Sequence, residues 1–212
     1  MPLLDIDISI NSSVLPDDVV AFLREADLRV SQFVKNSRVA GFVPSDFATV
    51  YRSLRAIAEA NLASGTSLCE WGSGFGVVAS LAAMLEFKVC GIEIERGLVS
   101  ASRRLADDFR LPVEFVHGSF VPPGAEADVE EAYAACSTEY SWLVTDADDA
   151  YDELGLGPDD FDVVFAYPWP GEECLIEGLF EKYAAEGALL LTYTQYNSVR
   201  LQRKVGEITG SS

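Results

Sequence analysis

From Thr66 to Thr194 short apolar runs alternate with amphipathic segments, and that rhythm limits the fold more than any other feature of the chain. TSLCEW (66–71), KVCGIE (88–93), VEFVHG (113–118), FDVVFAY (161–167) and ALLLTYT (188–194) have the length and the β-branched or aromatic content of strands. Between them, helical spacing predicts helices from Val77 to Glu86, from Leu98 to Phe109 and over residues 172 to 185. Strand, helix and strand in succession require right-handed crossovers. The expected fold is therefore α/β, a doubly wound and mostly parallel sheet with helices on both faces.

Two helices are expected ahead of the first strand. Residues 16 to 36 place Val19, Val20, Phe22, Leu23, Val30, Phe33 and Val34 near helical spacing, with acids early and Lys35 late, complementing the helix dipole at both ends. GFVPSD (41–46) interrupts the pattern, and Ser45 or Asp46 can cap a second helix running to about Leu62. Residues 1–40 read as an N-terminal helical extension and 41–212 as the ligand-binding domain. Residues 121 to 160 are longer than a usual crossover and acidic, which predicts a short helix near Ala125 to Cys136 followed by a loop or lid.

At 212 residues with 49% hydrophobic content, the chain can bury the core of one domain. Its formal charge of -19 repels nucleic-acid phosphate and anionic membranes, and leaves a basic partner or a small molecule as the better fit. An acidic surface kept for solubility accounts for the same number. Cys69, Cys90, Cys136 and Cys174 form no Cys-x-x-Cys pair and His117 is the sole histidine, so no metal site is expected. No basic leader opens the chain, and no apolar run approaches the ~20 residues of a bilayer span. A cytoplasmic protein is expected.

The first strand runs into SLCEWGSGFGVVAS, with Glu70 followed by Gly72, Gly74 and Gly76. Such a turn either satisfies a tight strand-to-helix connection or lets a ligand approach bare backbone. The dinucleotide fingerprint needs a third glycine where Val77 stands, and Gly-Lys-Ser/Thr is absent, so neither a dinucleotide site nor a P-loop is present. Nineteen residues beyond Gly74, Glu93 ends the second strand, where a carboxylate can accept two hydrogen bonds from ribose hydroxyls. Glu95 competes for that role. Glu93, nearer the strand end, is the choice.

Over residues 41 to 195 these features resemble the class I, Rossmann-like methyltransferases that use S-adenosyl-L-methionine. The resemblance implies that Gly72, Ser73, Gly74 and Gly76 floor the cofactor site, that Glu70 faces the ligand ammonium, and that Glu93 holds the ribose beside an apolar contact from Ile94. Ser119 and Phe120 occupy the place where the family usually has an acid against the adenine amino group. GFVPSDFATVYRSL is similar to a short stretch of the archaeal and mitochondrial-type protein-lysine methyltransferases, carried by Phe42, Val43, Pro44 and Ser45. Ser45 there implies a hydroxyl donor to the ligand carboxylate.

Many amino-group methyltransferases carry Asp/Asn-Pro-Pro-aromatic after the fourth strand, and here Tyr167, Pro168, Trp169 and Pro170 stand in that place. Without a side-chain amide or carboxylate at the first position, base methylation of nucleic acid is not expected. Tyr167 and Trp169 either line an aromatic slot for the acceptor, as the catalytic residues, or pack the next helix on the sheet. Glu172 and Glu173 attract a basic acceptor or favour a helix start. The expected activity is methyl transfer to a nitrogen or oxygen of a protein or small molecule; the alternative is a catalytically silent nucleoside-binding or scaffold domain. The fold usually closes with an antiparallel hairpin, which the last eighteen residues, ending in TGSS, can supply only shortened or not at all. Either the sequence is cut, or a second copy completes the C-terminal sheet edge as a homodimer.

Overall fold

The structure is a computed structural model, and it describes residues 2–36, 43–136, 149–194 and 196–206. In chain order the strands are β1 (Leu3–Asp5), β2 (Ser67–Trp71), β3 (Lys88–Glu93), β4 (Val113–His117), β5 (Val163–Ala166), β6 (Leu189–Tyr193) and β7 (Val199–Lys204). The helices are α1 (Asp17–Asn36), α2 (Phe47–Glu59), α3 (Val77–Ala83), α4 (Arg96–Phe109), α5 (Glu126–Cys136), α6 (Ala150–Leu154) and α7 (Glu173–Tyr183). All seven strands form one sheet in the order β1-β7-β6-β5-β2-β3-β4. β2 to β6 are parallel, and β7 and β1 are antiparallel to their neighbours.

The five strands expected from the sequence are all present; β2, β3, β5 and β6 bury both faces as apolar runs should, while β4, at the sheet edge, leaves Glu114 exposed. Side chains alternate between two cores. Leu68, Val163, Phe165, Leu189 and Leu191 pack with α2, α3 and α4, whereas Cys69, Trp71, Val164, Ala166 and Leu190 pack with α5, α6 and α7. α1 forms an outer layer, sealing Val19, Phe22, Ala26 and Val30 against Leu81, Leu98, Ala101 and Leu105. Burying its large side chains stabilises the fold by about 1.5–3 kcal/mol each. Asp17 and Asp18 occupy its first turn and Lys35 its last, as the charge pattern implies.

Three expectations change. A strand that was not expected precedes the expected first helix: Leu3, Leu4 and Asp5 pair with Lys204, Arg203 and Gln202. Consequently the edge left for a second copy is covered by the chain's own beginning, with Asp5 also paired to Arg200 at 2.7 Å. The closing hairpin is shortened, as expected, to the single strand β7, and β1 completes it. Helix α3 stops at Ala83, short of Glu86, because Glu86 adopts a left-handed φ of 65° and the Phe87 N–H turns back to the Ala82 carbonyl. The expected helix near Ala125 is α5. The lid expected after it falls on residues 137–148, outside the described residues.

Connections place β3 and β4 on one side of β2, and β5 and β6 on the other. Chain direction across the sheet therefore reverses between β2 and β5, where Trp71 pairs with Ala166. At such a switch point the loops beyond the carboxyl ends diverge and leave a crevice.

Candidate functional site

The crevice is a cavity of about 460 Å³, within the size range of small-molecule sites. The turn after β2 forms one wall. Ser73 donates its N–H to the Ile92 carbonyl at 2.8 Å, and Gly76 donates to the Ser73 carbonyl at 2.7 Å, which folds the turn back against β3. Gly72, Gly74 and Gly76 all take positive φ, at 69°, 55° and 70°. Their surroundings differ. A Cβ on Gly72 would meet nothing within 4 Å, whereas one on Gly76 would lie 2.4 Å from Phe115 Cζ and 2.6 Å from Ser102 Cβ.

Gly72, Ser73 and Gly74 line the cavity, and Gly76 does not; its bare side is filled from α4 and β4. Of the four predicted floor residues, Gly76 is thus the one that the structure sets apart. It begins α3 as a left-handed cap without a side-chain partner for the helix amides. Glu70, at the end of β2, supplies one instead: its Oε2 accepts from the Ala79 N–H at 2.8 Å.

Glu93 fastens the same wall from β3. Its Oε2 accepts from the Gly74 N–H at 2.7 Å and its Oε1 from the Glu95 N–H at 2.9 Å. A carboxylate has about four lone-pair sites, so capacity remains for a ligand. Glu70 is 4% and Glu93 7% exposed. Burial pushes the Glu70 carboxyl well above its ordinary value of 4.5; the Ala79 N–H pulls it back and the charge of Glu93 adds to the rise. Burial likewise raises Glu93, opposed by the N–H donors of Glu95, Gly74 and Ile94. Two desolvated carboxyls on one wall favour a cationic ligand, which would restore their ionised forms. The Ser73 hydroxyl, on a residue 4% exposed, has no hydrogen-bond partner among the described residues, and such an orphan on a cavity wall suits a polar ligand.

Ile94, Ser119 and Phe120 also line the cavity. Ser119 spends its hydroxyl as acceptor for the Val121 N–H at 3.1 Å. Phe120 stacks on Trp71, with centroids 5.3 Å apart and planes 8° from parallel. Its carbonyl accepts from the Tyr151 hydroxyl at 2.9 Å, so α6 holds that loop. Ser45 reaches the cavity from the segment before α2, together with Val43 and Pro44, while Asp46 caps α2 by accepting from the Ala48 and Thr49 N–H groups. Phe42 lies outside the described residues.

Tyr167 and Trp169 line the cavity from the β5 side. Tyr167 meets Tyr193 edge-on at 5.0 Å, which fixes its ring. Glu172, 5% exposed, belongs to this wall as well. The cavity also includes Phe47 and Trp71, neither of which the sequence reading selected. Trp71 was detectable as the last residue of β2, immediately before the glycine turn. Phe47 had no comparable signal. Cys69 and Cys90 are free and buried, behind the site. Among the described residues no cluster of His, Cys, Asp or Glu is placed to hold a metal ion, and no helix is long and apolar enough to cross a membrane.

No protein-family model matches the sequence, and no curated protein matches it. Solved structures do match. An RNA methyltransferase from Salinibacter ruber, in complex with S-adenosyl-L-homocysteine, aligns over 80% of this chain and 98% of its own at 19% identity and a TM-score of 0.53. A methyltransferase from Geobacter sulfurreducens aligns over 92% and 93% at 17% identity and a TM-score of 0.52. The fold is that of the Rossmann-like methyltransferases. Within this methyltransferase fold, the cavity lies at the switch point of the sheet and is bounded by the residues described above.

Proposed function

We propose that the cavity binds S-adenosyl-L-methionine and that the protein transfers its methyl group to a nitrogen or oxygen of a protein or small-molecule acceptor. The observation that carries this reading is the Glu93 carboxylate, tied to the Gly74 and Glu95 amides with lone pairs to spare at the carboxyl end of β3. That arrangement suits the paired hydroxyls of a ribose. Gly72 to Gly74 give an approach to bare backbone, with the Ser73 hydroxyl as a further polar contact. Glu70 lies on the same wall for an ammonium group, Ile94 for the flat face of a base, Ser119 and Phe120 for its edge, and Ser45 for a carboxylate.

When bound, S-adenosyl-L-methionine supplies a methyl group on a sulfonium, an electrophile that asks for in-line approach and little acid or base help. The work of this chain is then to orient the acceptor and exclude water, and such alignment contributes roughly 7–11 kcal/mol in favourable cases. Tyr167 and Trp169, on the β5 wall, act as the catalytic residues in this sense by confining the acceptor. The neighbours in fold act on RNA in one case, by its name. For this chain the acidic surface supports a small or basic acceptor instead.

Calorimetry with S-adenosyl-L-methionine and S-adenosyl-L-homocysteine tests the reading. Both bind the wild-type protein, and Glu93→Ala weakens both by about 1.5–3 kcal/mol, the worth of a hydrogen bond to a charged group. Unchanged affinity in that variant removes Glu93 from the site and the reading with it. A second reading, a silent nucleoside-binding or scaffold domain, is favoured by one observation: the segment Tyr167 to Pro170 offers no side-chain amide or carboxylate to hold an acceptor nitrogen. It predicts the same binding with no methylated product from lysine-rich protein or from a small-molecule panel.

A further inference from the structure

Cys174 is the second residue of α7 and is disulfide-bonded. Cys69 and Cys90 are free thiols buried behind the site, so neither is its partner. The chain holds four cysteines, and the remaining one, Cys136, is the last residue of α5.

The fold brings the two positions level. α5 packs on α7, and Asp128, in the first turn of α5, accepts from the Lys182 Nζ at 2.6 Å and from the Tyr183 hydroxyl, both at the end of α7. The beginning of one helix thus lies beside the end of the other. From Asp128, eight residues along α5 lead to Cys136, and from Lys182, eight residues back along α7 lead to Cys174, about 12 Å in either case. Two helices packed in opposite senses from that contact set Cys136 opposite Cys174.

A link there bears on the cavity. Cys174 does not line it, but stands between Glu172 and Ile176, which do. The Glu172 N–H donates to the Trp169 carbonyl at 2.8 Å, and the Glu172 Oε2 accepts from the Trp169 N–H at 3.3 Å. This reciprocal bracket ties the start of α7 to the indole on the cavity wall. Glu173 is drawn off to the Gly171 N–H at 2.8 Å and does not line the cavity. Cys174 Sγ lies 3.8 Å from the Gly171 carbonyl oxygen, a contact to which a thiol donates and a disulfide sulfur does not. The redox state of Cys174 thereby reaches the turn that carries Trp169.

We propose that Cys136 and Cys174 form a reversible disulfide clasp between α5 and α7, closed and opened by small-molecule disulfides and thiols, which sets the position of the Trp169 wall. The proposal stands without the cofactor reading. Cys174 is exposed, and exposed disulfides are the ones that exchange readily. Closure begins when the Cys174 thiolate attacks a small disulfide and expels one thiolate; the Cys136 thiolate then displaces the second. One protein disulfide and two small thiols result. Two electrons pass from the protein to the small disulfide, and the two cysteine protons end on the released thiols. The closed loop contains β5, so the bond also restricts the unfolded chain.

Thiol counting tests the pairing. The full chain, kept without reductant and then unfolded in guanidinium chloride, presents two thiols to a chromogenic aromatic disulfide, and four after reduction with dithiothreitol and its removal. Peptide mapping under non-reducing conditions finds Cys136 joined to Cys174. Equilibration in glutathione buffers of graded redox ratio interconverts the two forms, and the reduced form melts roughly 4–16 °C lower. Cys174→Ser melts with the reduced form in every buffer. Tryptophan emission of the wild type shifts with the same redox midpoint, and the shift disappears in Trp169→Phe and in Cys174→Ser. Four thiols without reductant, a bond from Cys174 to any cysteine other than Cys136 of the same chain, or a bond that no glutathione ratio opens overturns the proposal. So does emission that ignores the redox state, or a shift that survives Trp169→Phe.

Discussion

The two walls of the cavity are built differently. On the β2 and β3 side, backbone does most of the work: three left-handed glycines fold a turn onto β3, and the side chains of Glu70 and Glu93 are fastened to amides of that turn and of α3. On the β5 side the contacts come from side chains, Tyr167, Trp169 and Glu172, carried by one turn before α7. The first wall suits a ligand of fixed shape. The second can change with the acceptor, since replacing a side chain there leaves the sheet intact. A site that recognises one invariant and one variable molecule gains from that division.

The sharpest way to break the comparison is inside the first wall. Gly72 and Gly76 share nearly the same φ, and only Gly76 is hemmed in. Gly76→Ala combines a left-handed backbone penalty of about 1–2 kcal/mol with an overpacking cost of about 1–3 kcal/mol against Phe115 and Ser102. Denaturant unfolding is expected to show the sum of both. Gly72→Ala incurs the backbone penalty alone, remains folded, and loses S-adenosyl-L-homocysteine affinity because its methyl is added at the cavity lining, where no protein atom lies within 4 Å of it. Equal stability losses in the two variants would mean that both glycines serve the turn and neither the ligand.

A smaller effect is expected at Glu70. Its carboxyl titrates above the ordinary value when the protein is empty, because burial disfavours the charge. The sign follows directly: its stabilising contribution is complete below pH 4.5 and is lost as pH rises through the elevated value. Glu70→Gln therefore melts higher than the wild type in alkaline buffer, and the gap closes on acidification. Binding of a cation favours the carboxylate, so S-adenosyl-L-methionine releases protons above pH 4.5, visible as a dependence of binding enthalpy on buffer ionisation. A gap that widens on acidification, or binding that takes up protons, contradicts the role given to Glu70.

Ser73 gives the smallest signal. Its buried hydroxyl has no partner among the described residues, so Ser73→Ala changes unfolding free energy by no more than about 0.5 kcal/mol. If the hydroxyl meets the ligand, the same variant weakens S-adenosyl-L-homocysteine by about 0.5–1.5 kcal/mol. Thermal melts with and without ligand separate the two.

Legibility in sequence follows the same division. The central parallel strands β2, β3, β5 and β6 were readable because they are buried on both faces and so mostly apolar, and Glu93 because a strand end nineteen residues after Gly74 fixes its place. The role of Gly76 was not readable: spacing shows that a glycine is there, and only the packing of Phe115 and Ser102 shows what fills the space beside it. Glu172 and Glu173 look alike in sequence, and a turn bracket of two hydrogen bonds decides which one enters the cavity. β1 had the weakest signal of all. Three residues with two exposed side chains carry no strand pattern of their own, since their strand character comes from a partner at the other end of the chain.

That partnership has a temporal meaning. Leu3, Leu4 and Asp5 are synthesised before the parallel strands of the sheet, yet their hydrogen-bonding mates, Gln202 to Lys204, are synthesised after them. During synthesis β1 therefore stays unpaired until β7 has emerged. The rim of the sheet closes only after its parallel interior has been made.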